Sequence, residues 1–375
     1  MRSLTFLVFI LLLPCFISCR KSHETALITA RIDTNNFHKY TLGYKDSIRV
    51  FQLETNKDCL LHDITSINLS DSLVIVFDAR GKSISLFDVN GHFIRKIGKQ
   101  GNGPGEFVQL TNMHYNPREK LIEIFDNPQK KLFAYDLKGN LVKTKKSVIN
   151  FISFAESPEG YYVYSPFVDH NESAGYNLFL LSKNMDHIKG RFLTTQNNFD
   201  RALFSGNFTY NNEELFFRHG LNDTIYKLKD GQIAPYLYVD FGSLKVPYQK
   251  VSAIKNQQVY DEQVYSKEPA YLGQIQHVLA NDKWMRFTFS EIKFGEKTML
   301  SALYDREADT IQFYNSYATK MPGISNPHPK YYDNQKAAYL IYPYEMNEEE
   351  VRIFEKFYGV KVNDSSNPFI ALCYE

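Results

Sequence analysis

Two stretches decide the fold: LVIVFDARGKSISLFDVNGHFIRKI at residues 73–97 and LIEIFDNPQKKLFAYDLKGNLVKTK at residues 121–145. Phe77-Asp78 matches Phe125-Asp126, and Phe87-Asp88 matches Tyr135-Asp136. Gly91 matches Gly139, and Phe93-Ile94 matches Leu141-Val142, each pair offset by 48 residues. A constant shift over several anchor points marks an internal repeat, and periods in the forties belong to propeller blades or paired-helix units. Local chemistry chooses between them. Residues 73–77 and 84–87 are short, β-branched and aromatic, with Arg80-Gly81-Lys82 turning between them. Asp88-Val89-Asn90-Gly91 reads as a hairpin turn. A helix pair would need longer runs at 3.6-residue spacing.

The unit recurs more loosely at Leu181-Ser182-Lys183-Asn184 before Ile188, and at Asn222-Asp223-Thr224-Ile225-Tyr226 before Asp230-Gly231. It returns at Tyr304-Asp305 before Thr310-Ile311. The last strands are expected at Ala338-Tyr339-Leu340-Ile341-Tyr342 and Phe369-Ile370-Ala371-Leu372-Cys373. These make about six units, so the expected fold is all-β, a six-bladed β-propeller over residues 41–375. The early strand Ile48-Arg49-Val50-Phe51-Gln52-Leu53 stands outside the first unit. In a closed ring it would pair with the last blade and remove the exposed edges. Residues 244–283 read as a helical insertion, including Tyr248 to Tyr265 and Leu272 to Ala280. Asn347-Glu348-Glu349-Glu350 before Val351, Phe354 and Phe357 reads as a short capped C-terminal helix.

Composition narrows the function. Of 375 residues, 43 are Lys or Arg and 42 Asp or Glu, a formal charge of +1, which argues against a nucleic-acid partner. Aromatics reach 15%, which suits sheets. At the N-terminus, Arg2 precedes the apolar run of residues 4–13, too short to span a bilayer as a mature helix. Residues 1–18 therefore read as a signal peptide. Phe16-Ile17-Ser18-Cys19 resembles a bacterial lipobox, which makes Cys19 the lipidation site and a membrane lipid anchor the expected partner. Residues 19–40 are polar and read as a flexible tether. Besides Cys19, only Cys59 and Cys373 remain in the mature chain; a disulfide between them is open in an oxidising compartment.

The stretch Ile97-Gly98-Lys99-Gln100-Gly101-Asn102-Gly103-Pro104-Gly105-Glu106-Phe107 resembles the inter-blade loop of NHL-type propellers. The chain is most similar to the six-bladed β-propeller lipoprotein family of Bacteroidota. Asn222-Asp223-Thr224-Ile225-Tyr226, Asp240-Phe241-Gly242 with Pro247, and Asn367-Pro368-Phe369-Ile370 carry the resemblance further. It implies a propeller in the cell envelope. In that family acidic residues after the lipidated cysteine favour surface export. Arg20-Lys21 stands here instead, pointing to the outer membrane and its periplasmic side.

Gly98, Gly101, Gly103, Pro104 and Gly105 read as a structural loop, because a phosphate loop needs Lys-Ser/Thr and a helix after its last glycine. Asp240-Phe241-Gly242 lacks the rest of a kinase site. No two of the ten histidines lie within four residues of each other, and neither a cofactor nor a metal centre is expected. Asp78, Asp88, Asp126, Asp136 and Asp305 repeat between units, which suits turn stabilisation better than catalysis. His114, Tyr115, Arg218 and His219 are the candidate axial-mouth binding residues.

The expected function is a binding or interaction platform for a protein, peptide or glycan. One rival is a metal-dependent hydrolase or lyase of the NHL or lactonase type. Another is a structural subunit of an envelope complex. Three or more non-repeated Asp, Glu, Asn or His side chains at one mouth would favour an enzyme; an aromatic or smooth polar mouth would favour binding.

Overall fold

A computed structural model describes residues 27–38, 48–166, 175–194, 206–247, 270–315 and 321–374, apart from positions 71, 111, 212–213, 220–221, 294–295, 326–327 and 334. The first strands are β1 (Ile28–Arg31) and β2 (Ile48–Gln52). Blade 1 holds β3 (Ile64–Leu69), β4 (Leu73–Asp78), β5 (Ser83–Asp88) and β6 (Phe93–Ile97). Blade 2 holds β7 (Asn112–Asn116), β8 (Leu121–Asp126), β9 (Lys131–Asp136) and β10 (Leu141–Lys146). Blade 3 holds β11 (Ser153–Ser157), β12 (Gly160–Tyr164), β13 (Tyr176–Leu181) and β14 (Ile188–Thr194). Blade 4 holds β15 (Phe208–Asn211), β16 (Glu214–Arg218), β17 (Thr224–Lys229) and β18 (Gln232–Asp240). Blade 5 holds β19 (Tyr271–Ala280), β20 (Trp284–Lys293), β21 (Glu296–Asp305) and β22 (Thr310–Tyr314). Blade 6 holds β23 (His328–Tyr332), β24 (Lys336–Ile341) and β25 (Phe369–Tyr374).

Each blade is an antiparallel meander, and the described strands form six sheets, a six-bladed propeller. The innermost strands touch around the ring: β7 with β11, β11 with β15, β15 with β19, β19 with β23, and β23 with β3. The 48-residue repeat is the superposition of blade 1 on blade 2. It holds for the starts of all four strands, from Ile64 and Asn112 to Phe93 and Leu141. Between these blades Ile75, Ile84, Ile122 and Phe133 form a buried layer. Burying such a side chain contributes about 1.5–3 kcal/mol each.

The ring closes as the early strand implies. β2 pairs antiparallel with β25, from Ile48 opposite Cys373 to Gln52 opposite Phe369, so blade 6 combines an early strand with the last one. Asn367 locks this seam while almost wholly buried. Its Oδ1 accepts from Leu61 N at 2.9 Å, and its Nδ2 donates to Glu54 O at 2.6 Å and Cys59 O at 2.8 Å. The repeated aspartates all cap turns. Asp78 accepts from the backbone of His62, Asp63 and Gly81; Asp88 from Asn90 and His92; Asp126 from Val108 and Gln129. Asp136 accepts from Lys138 and Asn140, and Asp305 from Glu307 and Ala308. Helix α1 (Glu348–Tyr358) starts with an Asn347–Glu350 capping box and ends at Gly359. Phe354 enters the blade 6 core, whereas Phe357 is 63% exposed.

Two expectations need correction, and one open question closes. Leu272 to Ala280 is not helical but lies in β19, the innermost strand of blade 5. Its pairing with β20 slips between Gly273 and Gln276 and again between Gln276 and Leu279. Gln274 and His277 take positive φ at these slips, which spaces the buried Leu272, Ile275 and Val278 three residues apart. A bulged strand thereby mimics helical spacing. Residues 248–269 of the expected insertion lie outside the described residues. The stretch 19–40 expected as a tether is not polar linker throughout, because Ile28–Arg31 is strand β1, a fifth strand parallel to β18. Cys59 and Cys373 are buried free thiols in two different core clusters, unpaired.

Candidate functional site

The Gly-rich loop joins β6 to β7. Glu106 is its staple: its carboxylate accepts from Gly103 N at 2.9 Å and meets Lys99 Nζ at 2.9 Å. The Lys99 contact holds the Glu106 carboxyl below its ordinary range. A Cβ on Gly101 would lie 2.0 Å from Glu106 Oε2, and Gly105 takes φ +75° beside Tyr135, whose hydroxyl donates to Gly105 O at 2.8 Å. Gly98 also turns with positive φ, and Pro104 lines a shallow groove with Gly98 and Gly105.

The four mouth candidates separate. Arg218 ends β16, at the opposite end of that strand from the Asn211–Glu214 hairpin. It is buried, and its Nη1 donates to Ile275 O at 3.2 Å in the next blade. Burial lowers its guanidinium to about 10, leaving it charged at neutral pH. His219 is buried too, with Nε2 3.1 Å from Asn177 Nδ2 and its ring edge-on to Tyr164. These two residues join blades 3, 4 and 5. Tyr115 packs into the blade 1–2 core.

His114 faces the axis from the inner strand β7. Its ring stacks on Tyr210 of β15, 4.9 Å between centroids, and stands edge-on to Phe154 of β11 at 6.2 Å. The stack joins blades 2 and 4 across blade 3. Tyr210 is 37% exposed, and its hydroxyl donates to Glu156 O at 2.8 Å. Glu156 Oε2 in turn accepts from Asn116 Nδ2 at 2.6 Å. Burial lowers His114 to about 4, so at neutral pH it presents an uncharged ring.

Behind His114 lies a residue that the repeat itself could have flagged. Glu123 is the cross-strand partner of His114 and is fully buried. It stands where the 48-residue shift puts Ile75 in blade 1. Its Oε1 accepts from the Tyr161 hydroxyl at 2.8 Å, and that hydroxyl also accepts from Lys145 Nζ at 2.9 Å. Its Oε2 is buried with no hydrogen-bond donor. Burial pushes the Glu123 carboxyl up to about 7, with the nearby Glu156 charge adding to the rise. Burial also lowers Lys145.

The composition of this mouth meets the expectation set for an enzyme, since His114, Glu123 and Glu156 are not repeated, whereas Asn116 recurs in blade 1 as Asn68. Their arrangement differs from a metal site. Glu123 has no exposed surface, Glu156 is engaged by Asn116, and among the described residues no three His, Cys, Asp or Glu are grouped to hold an ion. The reachable surface is the aromatic His114–Tyr210 pair.

Fold and site define a six-bladed propeller sealed by its early strand β2, with an aromatic axial mouth over a buried carboxyl. The chain belongs to the DUF4934 family, described as a domain of unknown function, which it matches over residues 35–374. It is similar in fold to a Bacteroides fragilis protein named for an inferred export, with 14% identity, a TM-score of 0.71, and coverage of 92% of this chain and 98% of the other. A DUF4221-family protein of Bacteroides vulgatus is 10% identical with a TM-score of 0.52, covering 88% and 96% of the two chains. No curated protein matches the sequence significantly.

Proposed function

We propose that this protein is a lipid-anchored propeller of the cell envelope that binds a glycan or peptide at the axial mouth of blades 2–4. The observation that carries the binding reading is the stacked His114–Tyr210 face. It offers an uncharged aromatic surface beside the Glu156–Asn116 pair. Aromatic faces next to hydrogen-bonding groups suit sugar rings and peptide planes. The likeness to a Bacteroides propeller named for export supports the envelope location, and the lipobox-like Phe16-Ile17-Ser18-Cys19 supports the anchor. Cys19 itself lies outside the described residues. The enzyme reading keeps one observation, a carboxyl held near neutrality beside Tyr161, as acid–base groups are. Its complete burial keeps it from a ligand in the channel.

The test is a thermal-shift screen of the full chain in detergent against oligosaccharides and peptides. A ligand at 100 times its Kd stabilises by about 2.7 kcal/mol. Tyr210→Ala and His114→Ala are expected to abolish that shift while leaving a folded protein. A ligand whose shift survives both variants would overturn the axial reading. Cys19→Ala is expected to remove N-terminal lipid, read by mass spectrometry of the membrane fraction.

A further inference from the structure

We propose that the rim of blade 4 is the membrane-facing edge of the protein, because β1 pins the chain there and leaves only the eight residues 20–27 between Cys19 and the strand. The inference rests on the lipid anchor at Cys19 and adds an orientation to it.

The pinning is extensive. Ile28 to Arg31 run beside Leu237 to Asp240 of β18, in parallel register. Ile32 N continues the pairing to Asp240 O at 3.1 Å, and Arg31 meets the Asp240 carboxylate at 3.3 Å. Ala30 is buried in the blade 4–5 core, with Ile28, Ile32 and Phe37 packed against it. The chain then crosses to blade 5. His38 N donates to Phe313 O at 2.9 Å, Asn315 N donates to His38 O at 3.1 Å, and Phe37 stacks on Phe313 at 6.1 Å. Residues 28–38 are therefore part of the propeller wall. They give a lipid at Cys19 no slack.

Covalent geometry sets the rest. The nine Cα-to-Cα steps from Cys19 to Ile28 span at most about 30 Å, whatever their conformation. A domain of this length is about 50 Å across. Blade 1 lies three blades from blade 4 in a ring of six, on the opposite rim. A lipid inserted at the bilayer surface thus holds blade 4 within about 30 Å of it, while no such restraint acts on blade 1. A tether of residues 19–40, free to its end, would have allowed any rim to approach the membrane.

The experiment uses the full-length lipoprotein in vesicles of phosphatidylethanolamine and phosphatidylglycerol carrying an energy-acceptor lipid. A donor dye is attached at Thr29→Cys on blade 4 or at Lys96→Cys on blade 1, both exposed positions. Transfer from the blade 4 dye is expected to exceed that from the blade 1 dye at least two-fold. Inserting twenty Gly/Ser residues after Lys21 is expected to bring the two towards equality. Equal transfer in the unextended protein overturns the orientation. A difference that survives the extension also overturns it, since some contact other than the short tether would then set the pose. Mass spectrometry of the same sample reads the lipid separately: an unlipidated N-terminus refutes the anchor, whereas a lipidated protein with equal transfer refutes only the orientation.

Discussion

Glu123→Gln should turn a nearly level pH–stability profile into a sloping one. Glu123 has an ordinary value of 4.5 and is raised by burial to about 7. Below pH 4.5 it is protonated in both folded and unfolded chains. Between 4.5 and about 7 the unfolded chain releases the proton and the folded chain retains it, so stability falls as pH rises. That gap corresponds to about 3 kcal/mol. His114 has the opposite sign. Its ordinary 6.5 is lowered by burial to about 4, so the unfolded imidazole binds a proton across a window where the folded one does not. Stability therefore falls as pH drops from 6.5 to about 4, again by about 3 kcal/mol. The two slopes oppose each other between about pH 4.5 and 6.5. In the native protein they should largely cancel there, with a residual loss as pH rises towards 7. Glu123→Gln leaves the histidine slope alone, and the variant should gain about 3 kcal/mol from pH 4 to 6.5. His114→Gln leaves the glutamate slope, and stability should fall by a similar amount from pH 4.5 to 7. Urea unfolding of the full chain at half-unit pH steps measures both. A Glu123→Gln profile parallel to the native one would refute the assignment of a protonated, buried carboxyl behind His114.

Asn367→Ala should destabilise the ring by about 3 kcal/mol, because three hydrogen bonds to the Glu54–Leu61 segment are lost at about 1 kcal/mol each and Cys59 O is left buried without its donor; urea midpoints check this. Glu214 bridges Lys227 at 2.5 Å and Arg306 at 2.6 Å across blades 4 and 5, and Glu214→Gln should cost about 1–2 kcal/mol, an effect that shrinks in high salt. Cys59 and Cys373 should react with a thiol reagent only after unfolding, and reductant should leave the melting temperature unchanged; a rise in free thiols on reduction would contradict the unpaired state.

Much of the fold was legible because propeller blades are built from local chemistry. The hairpin turns of blades 1 and 2 repeat Asp78 as Asp126, Asp88 as Asp136 and Gly91 as Gly139, and those aspartates cap their own turns. The closing strand was legible from its position outside the first repeat. Asn367 was visible as part of a family-like ending, but its role as the seam's lock needed coordinates. β19 was misread since two bulges reset its side-chain period to three. β1 was missed since it is four residues long, and its partner β18 lies about 200 residues away.

The candidate site divides in the same way. His114 was legible as a candidate axial-mouth residue, yet Tyr210, the ring it stacks on, is 96 residues away and carries no motif. Glu123 had a signal, one acid inside Leu121-Ile122-Glu123-Ile124-Phe125 where the repeat otherwise asks for an apolar residue. Arg218 and His219 were paired with the mouth by proximity to a turn, but they bury themselves between blades. Sequence by itself determined the repeat, the blade count and the means of closure, because these follow from turn residues and alternation within about fifty positions. Tertiary structure alone decided which strand wraps the rim, which rings meet at the axis and which carboxyl keeps its proton. Those depend on contacts between blades, where closure of the ring sets distance and burial sets charge.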